Sequence, residues 1–428
     1  MEKYQIVGGI RAEGKIKNSS SKNAFLPLIS ASVLTEEDVV LQNYPNFSDI
    51  FNMLEIVHFL GGKYIFQDGN IIINNQSIDK TTLSCSQVKN IRASIFLLGP
   101  LLSKFRFATF TYPGGCNIGK RPIDIHLDGL KSLNCRVIEY EDRVVCDGRK
   151  MKAGEVYFKF PSVGATENII MASVLLKGVT HIHNPAKEPE IVDLSNMLNS
   201  MGARISGAGS SVITVEGVDS LHGTTYKPIP DRIVAGTYAI ASAITKGDVE
   251  ISNVRAEHIA SLLTKLDNMS CKISVNNDKI RIQSNSRLKN LSYIETAPFP
   301  GFPTDLQAPF MSLACVSNGQ TLICEKLFET RFRQVEELSK MGANVIINGN
   351  TALVKGTEHL FGAEVFATDL RAGASLVLAG LTASGTTKVC NVELIERGYE
   401  NLCENLSSLG LDIKRIEEEW KKRDCLLF

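Results

Sequence analysis

Two apolar rhythms run along the chain and return together. One phrase reads as two or three apolar residues at helical spacing, a small or polar step, and then an alternating strand. It first appears as Met53-Leu54-Glu55-Ile56-Val57-His58-Phe59-Leu60-Gly61-Gly62-Lys63-Tyr64-Ile65. It recurs around 130–137, 197–205, 265–273, 337–345 and 405–413. Anchoring on the last apolar residue of each helix gives Leu60, Leu133, Met201, Met269, Met341 and Leu409. The steps between them are 73, 68, 68, 72 and 68, so the chain is predicted to hold six copies of a unit of about 70 residues. The Gly or Ser that often follows the anchor suits a tight helix C-cap before the next strand.

A second helix recurs with the same period. Its starts are Ser21-Lys22-Asn23-Ala24, Ile91-Arg92-Ala93-Ser94, Ser162-Val163-Gly164-Ala165, Asp231-Arg232-Ile233-Val234, Pro303-Thr304-Asp305-Leu306 and Asp369-Leu370-Arg371-Ala372. Each runs into a stretch rich in Ala, Leu and Ile, as expected of a helix buried on nearly all sides. Short alternating runs such as 212–215 and 280–283 read as strands. Each unit is therefore mixed α/β, and twice three units makes two similar domains. Lys227-Pro228-Ile229-Pro230 near the midpoint marks a plausible linker.

Lys22, Arg92, Arg232 and Arg371 all sit near helix starts. A helix N-terminus carries unpaired N–H groups and partial positive charge, so a cation there costs stability unless an anion compensates. Such recurrence points to anionic ligands. For Arg232 and Arg371 the local carboxylates Asp231 and Asp369 offer a plainer partner.

The densest local signal is Tyr112-Pro113-Gly114-Gly115-Cys116-Asn117-Ile118-Gly119-Lys120-Arg121-Pro122-Ile123-Asp124-Ile125-His126. Glycines let backbone approach a ligand, and the two cations favour a thiolate at Cys116. Arg121 with Asp124 would bind a polar, phosphorylated ligand from one loop. Pro298-Phe299-Pro300-Gly301-Phe302-Pro303-Thr304-Asp305 ends at a helix start. Spacing alone favours Asp305 as the cap of that helix, with a general base as the second reading. Arg331 and Arg397, as single residues, read as surface charge.

Composition narrows the classes. The 428 residues exceed one ordinary core, and 44% are apolar. Lys+Arg and Asp+Glu are 46 each, which argues against a general binder of nucleic acid or anionic membrane. Residues 1–10 lack a basic region leading into a long apolar run, and apolar runs such as 95–102 are too short to span a bilayer. Ten scattered cysteines without paired spacing read as reduced thiols, with neither a disulfide frame nor a zinc site. A cytoplasmic protein is the expectation.

These motifs, taken in order, resemble the UDP-N-acetylglucosamine 1-carboxyvinyltransferase family of enolpyruvyl transferases from Lys15 to Leu411. The resemblance is carried by Ser21-Lys22-Asn23-Ala24, Pro113-Gly114-Gly115-Cys116, Arg121-Pro122-Ile123-Asp124, Ser162-Val163-Gly164-Ala165-Thr166-Glu167-Asn168, Lys187-Glu188-Pro189-Glu190, Phe302-Pro303-Thr304-Asp305, Ala367-Thr368-Asp369-Leu370-Arg371-Ala372 and Arg397-Gly398-Tyr399. The relative acting on shikimate 3-phosphate lacks the Gly-Gly-Cys loop. The resemblance implies two inside-out α/β barrel domains of three units each, with the active site in the cleft between them. One domain would span 21–229 and carry the Cys loop, and the other would combine 1–20 with 230–428.

It also implies transfer of the enolpyruvyl group of phosphoenolpyruvate to the sugar 3′-hydroxyl of UDP-N-acetylglucosamine, the first committed step of peptidoglycan synthesis, without metal or cofactor. Lys22 and Arg397 would hold phosphoenolpyruvate, with Asn23 nearby. Arg92, Arg121, Pro122, Ile123, Asp124, Ile125, Ser162, Val163, Gly164 and Leu327 would line the UDP-sugar site, and Arg331 and Arg371 would add cations. Cys116 would protonate the enolpyruvyl methylene and react with fosfomycin, and Asp305 would deprotonate the sugar hydroxyl. The chain departs from the family pattern at Ser19-Ser20-Ser21, Thr330, Arg333-Gln334 and Glu396. Two other readings are the same chemistry on another uridine nucleotide and a non-catalytic UDP-sugar-binding regulator.

Overall fold

The computed structural model describes residues 2–84, 88, 89, 91–112 and 123–417. The chain divides into two compact units. The N-terminal unit is Ser20–Asp231 with Pro298–Pro300, and the C-terminal unit is Met1–Ser19, Arg232–Ala297 and Gly301–Phe428. Each has its own apolar core.

The described residues form six four-stranded sheets, three per unit, all built to one plan. Glu155–Tyr157 leads through helix Val163–Ser173 to the parallel strand Val179–His183. Helix Pro189–Ser200 then precedes the antiparallel strands Arg204–Ser206 and Val212–Glu216, which complete the sheet. Glu364–Phe366, helix Leu370–Thr382 and Thr386–Cys390 repeat the crossover in the C-terminal unit. Three sheets borrow a distant strand: Glu2–Val7 pairs with Thr386–Cys390 and Asp412–Glu417, Glu13–Lys17 pairs with Asp248–Ser252, and Thr224–Tyr226 pairs with Val39–Gln42.

The crossover helices are the buried ones. Lys22–Ala31 buries every residue except Asn23, and Arg232–Ile244 every residue except Arg232. Sheet edges such as Lys63–Gln67 and Lys272–Asn276 are largely exposed, while alternate residues such as Ile280 and Ile282 point inward. Helices inside and sheets outside give each unit the inside-out α/β arrangement, with three separate sheets as its wall.

The repeated anchor residue has a structural reason. Leu60, Leu133, Met201, Met269 and Met341 are the C-caps of the outer helices, and all five are fully buried. The next residue is left-handed in each case: Gly61, Asn134, Gly202, Ser270 and Gly342 have φ of 109°, 63°, 99°, 81° and 87°. The following amide then returns to the last helical turn, as in Ala203 N to Leu198 O at 3.0 Å. That is the helix-ending motif expected of Gly or Asn in this position. The proline-marked segment 227–230 is tied down: Ile229 N donates to Asp193 Oδ2 at 3.3 Å, and Ser21 N donates to Ile229 O at 2.8 Å.

Candidate functional site

In the N-terminal unit, Ser21 caps helix Lys22–Ala31, its side chain accepting from Ala24 N at 3.3 Å. That cap turns Lys22 inward. Its Nζ lies 2.6 Å from Asp49 Oδ2, with the two side chains 9% and 6% exposed. Its backbone N–H donates to Asp231 Oδ2 at 3.1 Å. Asp49 stands in the first turn of helix Ser48–Phe59, where the helix dipole also favours a carboxylate. The buried ammonium therefore has a fixed position with Asn23, half-buried, beside it in sequence.

Three sequence-distant segments converge near Gly164. Ser162 caps helix Val163–Ser173, accepting from Ala165 N. A Cβ placed at Gly164 would lie 3.0 Å from both Phe96 Cε1 and His126 Cε1, so a hydrogen is what fits there. Asn168, one turn on, donates to Ile95 O at 3.0 Å and to His126 Nδ1 at 2.8 Å, and accepts from Gly99 N at 2.8 Å. That network fixes the His126 tautomer with Nδ1 as acceptor. It ties the turn Arg92–Leu97 to the start of helix Asp124–Ser132. Arg92, Asp124, Ile125, Ser162, Val163 and Gly164 thus sit on connected segments. Arg92 opens a 3₁₀ turn, with the α-helix beginning only at Leu98, which corrects the expected helix start at this residue. Ile123 is buried beside exposed Asp124. Cys116, Arg121 and Pro122 lie outside the described residues.

In the C-terminal unit, Asp305 stands in the 3₁₀ turn Thr304–Leu306 after Pro303. Helix Gln307–Val316 has no side-chain cap, so the capping role that spacing favours is not what Asp305 does. Its two oxygens instead take Arg331 Nη2 and, at 3.1 Å, Arg371 Nη2. The arginine side chains are 4% and 3% exposed and the aspartate 27%. Neither arginine is surface charge. Asp369 caps helix Leu370–Thr382 by accepting from the Arg371 and Ala372 amides, which leaves the Arg371 side chain to Asp305. Burial pushes the Asp305 carboxyl up, but the guanidinium groups of Arg371, Arg331 and Arg232 outweigh it and hold it well below the usual carboxylate range. Arg397 is half-buried on the segment after helix Val392–Ile395.

Glu325 carries no sequence signal yet organises this region. It is 2% exposed. Its Oε1 accepts from Leu327 N at 2.8 Å, Phe328 N at 3.2 Å and Thr296 Oγ1 at 2.8 Å, and its Oε2 from Thr304 Oγ1 at 2.8 Å. One carboxylate thus fastens the Leu327 loop to the Asp305 turn. Asp49 was missed in the same way. A buried acid reveals its donors only in the fold.

Arg331 Nε and both amide atoms of Gln307 are buried and have no hydrogen-bond partner among the described residues. Leaving such donors and acceptors unpaired costs about 1–3 kcal/mol each, and functional sites are where that cost is tolerated. The described residues contain no group of three or more His, Cys, Asp or Glu arranged to hold a metal, and no helix long and apolar enough to cross a membrane. Chemically, the C-terminal unit offers an ionised carboxylate among cations, and the N-terminal unit offers an aimed ammonium.

Comparison with known proteins gives the family. The sequence model described as EPSP synthase (3-phosphoshikimate 1-carboxyvinyltransferase) matches residues 6–406. A UDP-N-acetylglucosamine 1-carboxyvinyltransferase of Halothermothrix orenii is 46% identical over 422 residues, covering 97% of this chain and all of that protein. UDP-N-acetylglucosamine 1-carboxyvinyltransferase 2 of Caldanaerobacter subterraneus is 44% identical over 416 residues with the same coverage. Among solved structures, the enolpyruvyl transferase NikO from Streptomyces tendae aligns with TM-score 0.87 at 23% identity over 98% of this chain and 99% of that one. EPSP synthase from Acinetobacter baumannii aligns with TM-score 0.76 at 19% identity over 97% of this chain and all of that one. These two establish the fold as that of the enolpyruvyl transferases. The chain belongs to the EPSP synthase-type enolpyruvyl transferases, in the family of the UDP-N-acetylglucosamine 1-carboxyvinyltransferases.

Proposed function

We propose that this protein transfers the enolpyruvyl group of phosphoenolpyruvate to the 3′-hydroxyl of UDP-N-acetylglucosamine and releases inorganic phosphate. The observation that carries the reading is Asp305, an ionised carboxylate set between Arg331 and Arg371 on a rigid turn. A base and anion-binding cations stand together there, as this reaction requires.

The steps follow from the chemistry. Cys116 gives a proton to the methylene carbon of phosphoenolpyruvate, which leaves its central carbon cationic. The sugar hydroxyl oxygen attacks that carbon while its proton goes to Asp305, giving a tetrahedral ketal. The Cys116 thiolate takes a proton back from the new methyl group as phosphate leaves with the proton held by Asp305, which restores the double bond, the thiol and the carboxylate. Lys22 and Arg397 hold the phosphate and carboxylate throughout, with Asn23 beside them. Arg92, Arg121, Pro122, Ile123, Asp124, Ile125, Ser162, Val163, Gly164 and Leu327 bind the UDP-sugar. Asp305 is a weak base while both guanidinium groups face it. An anion drawn to Arg371 or Arg331 weakens their hold and raises its basicity at the moment it is needed.

With these substrates the reaction would run in the cytoplasm, at the entry to peptidoglycan synthesis. The test is phosphate release from phosphoenolpyruvate with UDP-N-acetylglucosamine, UDP-glucose or UMP as acceptor. Release that depends on UDP-N-acetylglucosamine supports the reading. Release only with another acceptor moves the protein to a different uridine nucleotide, and none with any acceptor leaves a binding protein.

A further inference from the structure

We propose that Tyr399 is a positioning residue that fixes the Arg371 guanidinium against Asp305, through its ring face and through a hydroxyl tether to the helix beginning at Arg232. The inference rests on the reading of Asp305 as the base.

The geometry has three parts. The Arg371 guanidinium carbon lies 5.2 Å from the centre of the Tyr399 ring, while Arg371 Nη2 reaches Asp305 at 3.1 Å. A desolvated guanidinium over an aromatic face is held by the ring quadrupole, and Tyr399 is fully buried. The Tyr399 hydroxyl lies 2.9 Å from Thr237 Oγ1, and Thr237 donates its own hydrogen to Ile233 O at 2.9 Å. The direction is therefore fixed: Tyr399 donates, Thr237 accepts, and the chain ends on the backbone of the residue after Arg232. The Tyr399 amide is held in turn by Ile395 O at 3.2 Å, in the segment that carries Arg397. One phenol thus joins the Arg397 segment, the Arg371 side chain and the Arg232 helix.

The charged groups facing Asp305 are Arg371, Arg331 and Arg232, and those facing Tyr399 are Arg371 and Asp305. Burial raises the phenol, so it stays a donor across the working range. Loosening Arg371 removes part of the cationic field on Asp305. Its carboxyl then titrates higher, and activity that needs the ionised form falls away at a higher pH.

The test uses the full chain with phosphoenolpyruvate and UDP-N-acetylglucosamine, with kcat followed from about pH 3.5 to 9 so that the acid limb is sampled. Tyr399→Leu removes the ring, and kcat should fall about tenfold while KM for the UDP-sugar stays within about threefold. The acid limb of its kcat profile should move upward. Thr237→Val cuts only the tether, whereas Tyr399→Phe also removes the hydroxyl that hydrogen-bonds Arg371. Each should lower kcat by about two- to fivefold, Thr237→Val with the acid limb in place, and adding Thr237→Val to Tyr399→Phe should cost nothing further, because the tether is already gone. Should Tyr399→Leu fail to fold, that three-variant cycle decides. Additive losses, unchanged kcat in both tether variants, or a Leu variant with an unmoved acid limb would overturn the proposal. Asp305→Asn run alongside separates the causes. If it keeps full turnover, the base assignment itself fails, whereas an inactive Asn variant beside an unshifted Leu variant defeats only the role of Tyr399.

Discussion

Lys22 Nζ and Asp49 Oδ2 are 2.6 Å apart, and the two side chains are less than a tenth exposed. A buried ammonium of this kind depends on its partner for direction, because removing one charge leaves the other poorly compensated. Asp49→Asn keeps the size and one acceptor but removes the charge. It should raise KM for phosphoenolpyruvate about tenfold, while affinity for the UDP-sugar changes by less than about threefold. Phosphate-release kinetics against each substrate would show the split. An unchanged phosphoenolpyruvate KM would mean that Lys22 does not touch that substrate.

Asp305→Asn separates chemistry from binding. A base acts in the transition state, so kcat should fall about 100-fold or more, while calorimetric affinity for UDP-N-acetylglucosamine stays within about threefold. The same pairing contributes to stability with a definite sign. The folded carboxyl is held below its unfolded value, so its contribution is complete above the unfolded pKa of about 4 and is lost as pH falls below it. The melting-temperature gap between wild type and Asp305→Asn should therefore be largest near neutrality and should close in acid.

The repeat was legible because its signals are local. Leu60, Met201 and Met341 announce a buried helix end, and the Gly after each announces the turn that follows. The site was legible only in part. Arg331 and Arg371 are 26 and 66 residues from Asp305, so spacing alone offered a helix cap for Asp305 and solvent for Arg331. Glu325 and Asp49 act entirely through contacts that folding creates. The motif resemblance named Lys22, Asp305 and Arg371 as ligands of substrates. It did not show that each already has a protein counter-charge, which is what sets their aim.

Glu167 is a buried cost that a substitution should relieve. It is 1% exposed, and neither carboxylate oxygen has a hydrogen-bond partner among the described residues. Burial, with Glu190 and Glu188 nearby, pushes its carboxyl well above the ordinary value. A raised carboxyl stabilises the fold fully below the unfolded pKa of about 4.3, and the contribution is lost as pH rises toward the folded value. Glu167→Gln has the shape of the protonated acid without this penalty. Its melting temperature should exceed wild type by about 4 °C or more near pH 8, with the difference shrinking toward pH 5. A difference that stays constant with pH would show that Glu167 does not titrate in this window.

The last prediction concerns the thiols. Seven of the ten cysteines lie among the described residues, and all seven are buried. Burial pushes Cys271 and Cys315 up to about 12 and Cys403 up to about 11, so at neutral pH these offer almost no thiolate to an electrophile. Cys146 is raised further by its contact with the Cys135 thiol, with burial adding to the effect. Cys116 is placed differently by its sequence, between glycines and four and five residues before the cations Lys120 and Arg121. Fosfomycin, an epoxide carrying a phosphonate, needs both a thiolate and nearby cations. Peptide mapping after treatment at about pH 7.5 should find one adduct, on Cys116, and Cys116→Ser should abolish it while the seven buried thiols stay unlabelled. An adduct on Cys85 or Cys425 instead would show that the glycines and cations around Cys116 do not select the thiol. That result would remove the chemical reason for making Cys116 the proton donor.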